Sequence, residues 1–161
     1  MFENLTEELK LWGELLASEY KDKLNNEGIT ASGKLANSVQ VLFNNRGSLY
    51  EVSLQLESYW KQIEEGRGPT QNDGNGELRQ AILNWIRIKP VAPRPYNGKL
   101  PTENQLAYLI SRKIHTLGYE GKQPLKRTLS ENKDAIYRDI ENALCKDLEN
   151  NIGLIFKEIG F

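Results

Sequence analysis

Cysteine and histidine are each present once in 161 residues. A lone cysteine, Cys145, excludes an intrachain disulfide and fits a reducing cytoplasm, or a particle built there. One Cys and one His together exclude a Cys/His zinc site. Any Ser-His-Asp or Cys-His catalytic arrangement would have to use His115. No stretch approaches 18 apolar residues, so no membrane span is expected. The N-terminal residues are acidic (Glu3, Glu7, Glu8, Glu14) and do not form a basic region leading into an apolar run, so no signal peptide is expected. A basic block is missing too. Residues 1–40 hold 4 basic and 7 acidic side chains, 41–100 hold 8 and 6, and 101–161 hold 9 and 9. Binding a row of phosphates needs a basic stripe, so nucleic acid is not expected as the principal ligand. The length predicts one domain, 1–161, long enough to fold without a disulfide or metal.

What is present is periodicity. Phe2, Leu5, Leu9, Trp12, Leu16, Tyr20 and Leu24 share one helical face over 2–25, and Gly28 is a natural stop. Residues 30–38 read as a capped turn or short helix. The period then becomes two. Val39, Val41 and Phe43 alternate with Ser38, Gln40 and Leu42, and after an Asn/Gly turn Tyr50, Val52, Leu54 and Leu56 alternate with Glu51, Ser53 and Gln55, which predicts a hairpin over 38–57. Its apolar face should be buried against helices 2–25 and 131–159. A short helix is expected over 57–65, stopped at Gly66. Leu78, Ile82, Trp85 and Ile86 mark a helix over 77–88, ended by Pro90. Residues 66–76 read as a mobile surface loop, and 90–101, with four of the six prolines, as a stiff connection. Thr102-x-x-Gln105 and Thr128-x-x-Glu131 fit capping boxes and predict helices over 102–118 and 128–159. The expected class is α+β: a small antiparallel hairpin packed by long amphipathic N- and C-terminal helices and several short ones.

Little in the chain suggests chemistry. His115, beside Ile114 near a helix end, fits an ordinary half-buried imidazole. Cys145, beside the last apolar stripe, fits a small buried or half-buried residue. Both are expected to be dispensable. The run Asp73-Gly74-Asn75-Gly76-Glu77 fails as a calcium loop, because Leu78 and Asn84 stand where Gly and Glu are needed. Its glycines also lack the Lys-Ser/Thr of a phosphate loop. Glu64 and Glu65 are adjacent on a helix and do not face each other, which argues against an acid/base pair. No catalytic, metal or cofactor-binding residue is expected, and the chain does not read as an enzyme. Arg112 and Lys113 on helix 102–118 give an alternative, a DNA-associated or regulatory module, although no preceding helix is joined by a short turn.

The order of segments carries a further signal. A long helix leads into Thr30/Ser32, Gly33, Leu35 and Ser38. A hairpin follows, then Tyr59-Trp60-Lys61-Gln62-Ile63-Glu64-Glu65-Gly66-Arg67. This resembles the head–tail joining, or tail-completion, proteins of tailed bacteriophages, with their Tyr-Ala-x-x-Val-Glu-x-Gly-Thr-like motif after the second strand. The resemblance runs over roughly 30–118, and its motif residues are Gly33, Leu35, Tyr59, Trp60, Glu65 and Gly66. Arg67-Gly68-Pro69 departs from the usual Gly-Thr ending, and the last helix is longer than the family suggests. The resemblance implies a virion structural protein of the neck, made in the host cytoplasm. It further implies a closed ring of six or twelve copies between portal or adaptor and tail proteins. DNA would pass nearby without sequence-specific binding. The expected inter-subunit loops carry Arg67, Asp73, Asn75, Arg94 and Tyr96. Acidic 1–40 could meet basic 41–100 of a neighbour, and an open hairpin edge could be extended by one.

Overall fold

Two long antiparallel helices form the spine of the molecule. The structure is a computed structural model that describes residues 2–29, 32–70, 76–89, 91–95 and 98–159. Helix α1 (Glu3–Asn26) runs alongside α6 (Pro124–Glu158). Polar contacts step along the seam in antiparallel register. Arg127 Nη2 meets Glu27 at 2.7 Å, Lys23 pairs with Glu131, and Asn132 Nδ2 donates to Glu19 at 2.6 Å. At the far end, Asp147 accepts from the backbone N–H of Asn4 (3.1 Å) and Leu5 (2.8 Å) and from Asn4 Nδ2 (2.7 Å). The first N–H groups of a helix lack intrahelical partners, so a carboxylate from the neighbouring helix supplies them.

The expected glycine stop of α1 is a Schellman motif. Gly28 has φ +58°, its N–H reaches Asn25 O, and the N–H of Ile29 reaches Leu24 O. Ile29 folds back onto the core cluster that contains Leu24. That cluster holds Ala17, Tyr20, Leu24, Leu35, Ala36 and Val39.

Short helix α2 (Lys34–Ser38) leads into strands β1 (Gln40–Arg46) and β2 (Leu49–Gln55). They pair antiparallel with Val41 opposite Leu54 and Phe43 opposite Val52, around a two-residue turn at Gly47 (φ +69°). Hairpin and alternation are as expected, but the cover is not. The hairpin packs on α1, while α6 packs on α1 rather than on the hairpin. With one helix as cover, Val39 is buried, whereas Val41, Phe43, Val52, Leu54 and Leu56 are half-buried. The helix comes close because position 13 is glycine. A Cβ there would lie 2.7 Å from Val52 Cγ1 and 2.9 Å from Val41 Cγ1.

Helix α3 (Trp60–Glu65) is followed by α4 (Glu77–Ile88) and α5 (Glu103–Leu117), which pack on each other through Ile82, Leu83, Ile86 and Ala107. Trp85, expected in this core, is exposed, and so are Leu109 and Leu117. The buried line of α5 is Ala107, Ser111 and His115, one position round the helix from the larger residues. The capping box at Thr102 and Gln105 is present in both halves, at 3.3 and 2.9 Å.

The second expected box is absent. Helix α6 begins at Pro124, four residues before Thr128, and Thr128 Oγ1 donates to Pro124 O inside the helix. Proline's fixed φ and missing N–H suit a first helical position. The apolar stripe of α6 is also corrected. Ile136 and Ile140 are half-buried, but Leu144, Leu148, Ile152, Ile155 and Ile159 are exposed, as is Cys145. Helix α1 begins opposite Asp147, and beyond that point no described element packs over the apolar stripe of α6. Among the described residues no helix is long and apolar enough to cross a membrane.

Candidate interaction site

The motif residues fall mainly in two places, the α1 core cluster and a backbone crossing. Leu35 is fully buried in the α1 cluster, and Tyr59 and Trp60 pack half-buried against it. Gly33 caps α2 in the left-handed region at φ +68°. Directly after α3 lies strand β3 (Gly66–Arg67), which pairs with β4 (Tyr119–Glu120) in a sheet that the sequence did not announce. The N–H of Lys122 donates to Ile63 O at 2.9 Å. Backbones cross so closely that a Cβ on Gly66 would come within 2.1 Å of Tyr119 O, and one on Gly121 within 1.9 Å of Glu64 O. Gly66 also has φ +80°, so glycine is required there on two counts.

The carboxylate at this crossing is Glu64. It is buried and accepts from the N–H of Leu125 (2.7 Å) and of Lys126 (3.3 Å), capping α6 from another element. Glu65, the expected motif carboxylate, is exposed. The signal that finds Glu64 is the Glu-x-Gly spacing, which places the glutamate two residues before Gly66. Beside Glu64, burial pushes the Tyr20 phenol well above its ordinary range, and the charges of Glu64 and Tyr59 add to this. The Tyr20 hydroxyl is buried with no hydrogen-bond partner.

The crossing also corrects the expected loop 66–76. Arg67 is half-buried in β3, and Thr70 is tied to α5 twice. Its N–H donates to His115 O at 2.8 Å, and its Oγ1 lies 2.5 Å from His115 Nδ1. His115 is therefore a buried tether for this segment. Thr30, Asp73, Asn75, Pro90 and Tyr96 lie outside the described residues.

Arg94 sits where a partner could reach it. It lines an open groove of about 830 Å³ between α4, α5 and the proline-rich segment. Leu100, Leu106 and Leu109 supply apolar lining, and Arg79, Arg94 and Lys99 supply cations. Arg79 lies 5.8 Å from the Tyr108 ring centre. No carboxylate lines the groove among the described residues. The second exposed surface is the overhanging end of α6. Among the described residues no three His, Cys, Asp or Glu side chains cluster to hold a metal ion. Comparison with protein-family models, curated proteins and solved structures finds no match. The resemblance to phage neck proteins thus rests on segment order and motif residues.

Proposed function

We propose that this chain is a structural subunit of a tailed-phage virion, forming a closed ring in the neck between portal and tail. The observation that carries this is the presence of two unlike exposed apolar surfaces, the overhang of α6 and the groove between α4 and α5. A subunit with two different contact surfaces associates head to tail, and such contacts close into rings when the rotation allows. The motif supports the same reading, because Leu35, Tyr59 and Trp60 share one cluster with Leu54, Leu56 and Leu125, and Gly66 admits the β3–β4 crossing. The role needs no catalytic residue. DNA would pass through the ring without base recognition, in keeping with a formal net charge of −1.

Negative-stain imaging and mass photometry of the purified chain, alone and with the phage portal, test the proposal. The expected result is a ring of six or twelve copies, free or on the portal. A two-fold dimer overturns it. So does a monomer that ignores the portal and binds DNA in a salt-sensitive way, which would favour the regulatory module on α5.

A further inference from the structure

The end of α6 carries a patterned surface. Beyond Asp147, residues 148–158 extend the helix by roughly 16 Å past the start of α1. With 3.6 residues per turn, Leu148, Ile152, Ile155, Phe156 and Ile159 share one face. All five are exposed, Ile152 at 52% and Phe156 at 52%. Glu149 flanks that face on one side and Asn151 and then Glu158 on the other, while Lys146, Lys157 and the exposed Leu154 fall on the opposite side. This is an apolar stripe with acidic borders.

The groove between α4 and α5 is its counterpart. Its apolar lining is leucine, proline and Tyr108, its uncharged polar lining is Asn104 and Gln105, and its cations are Arg79, Arg94 and Lys99. No residue of α6 lines the groove. Among the described residues neither surface covers the other, and the two are complementary in charge and polarity.

We infer that the overhanging end of α6 from one copy lies in the α4–α5 groove of the next, its apolar stripe on Leu100 and Leu109 and its acidic borders against Arg94 and Lys99. An amphipathic helix in an apolar groove is a common recognition mode, read through anchors spaced three and four apart. Charge selects the groove over a second overhang. Two overhangs packed on each other would bring acidic flanks together with no cation on either apolar face, whereas the groove offers Arg94 and Lys99. The contact deepens the ring proposal and rests on it for the closure of the chain of copies.

The experiment uses two variants of the whole chain, with folding checked by circular dichroism. Ile152→Asp/Ile155→Asp spoils the overhang, and Arg94→Glu/Lys99→Glu spoils the groove. All four residues are exposed, so both variants should fold. In sedimentation velocity each variant should run as a monomer where the parent chain assembles. An equimolar mixture should give a heterodimer, since one partner keeps its groove and the other its overhang. Leu109→Cys with Ile155→Cys, in a Cys145→Ala background, should give disulfides between copies.

Four results overturn the contact: assembly that survives both sets of substitutions, a parent chain that stays monomeric at its highest soluble concentration, dimers linked through native Cys145 (two overhangs together), or a groove that instead holds a DNA duplex released by Arg94→Glu/Lys99→Glu. The ring proposal fails separately. Rings that survive the overhang variant keep the ring and overturn this contact. Open fibres cross-linked between position 109 of one copy and position 155 of the next support the contact and overturn the ring.

Discussion

The carboxylate of Glu64 holds the backbone N–H of Leu125 at 2.7 Å, across 61 residues of sequence. It thereby ties the end of α3 to the start of α6. A helix N-terminus presents unsatisfied N–H groups and a partial positive charge, and a buried carboxylate answers both. Glu64→Ala should lower stability by about 2 kcal/mol in urea unfolding, combining a lost cap with two orphaned donors. Glu65→Ala, at an exposed neighbour, should stay within about 0.5 kcal/mol. Equal effects from the two would remove the cap from Glu64.

Asp147 does the same for α1 and adds a pH dependence. Burial raises its pKa, but the hydrogen bonds from Leu5 and Asn4 outweigh that and hold it below the usual carboxylate range. The folded state therefore binds this proton less readily than the unfolded chain. Its stabilisation is complete above the unfolded pKa and is lost as pH falls through the lowered folded value. Asp147→Asn should lower Tm at neutral pH and flatten the fall of Tm on acidification. A parallel Tm–pH curve for the variant would show that Asp147 is not a source of the acid sensitivity.

Gly13 sets the distance between α1 and the hairpin. Alanine is the better helix former by about 1 kcal/mol, yet its Cβ would meet Val52 Cγ1 at 2.7 Å. Gly13→Ala should therefore destabilise, by about 1–3 kcal/mol. Adding Val52→Ala should restore part of the loss, which a double-mutant cycle by chemical denaturation would read as coupling. A stabilised single variant would mean that the sheet shifts to make room.

Tyr20 is fully buried, and its hydroxyl has no partner. Tyr20→Phe keeps the ring in the core and removes a desolvated polar group. Stability should stay constant or rise by about 1 kcal/mol. A loss of more than that would reveal a hydrogen bond of the hydroxyl in solution.

Elements were legible where the local pattern is strong. The hairpin around Gly47, the Schellman stop at Gly28 and the capping box at Thr102 all depend on residues within a few positions of one another. The start of α6 was not, because Pro124 and a carboxylate from a distant element define it while Thr128 mimics a cap. Glu64 was overshadowed by Glu65, although its spacing to Gly66 marked it.

Sequence alone determined the α+β class, the long terminal helices and the two-residue periodicity of the hairpin, since these arise from local propensity and side-chain period. Which apolar faces are covered was decided only by the tertiary structure. The stripe through Leu148, Ile152 and Ile155 has the same period as a core stripe, yet it is exposed because α1 begins opposite Asp147 and no other described element packs on it. His115 and Thr70, or Gly66 and Tyr119, meet only because the chain crosses itself. Periodicity shows that a face is apolar, whereas the geometry of the whole chain decides whether its own residues cover that face.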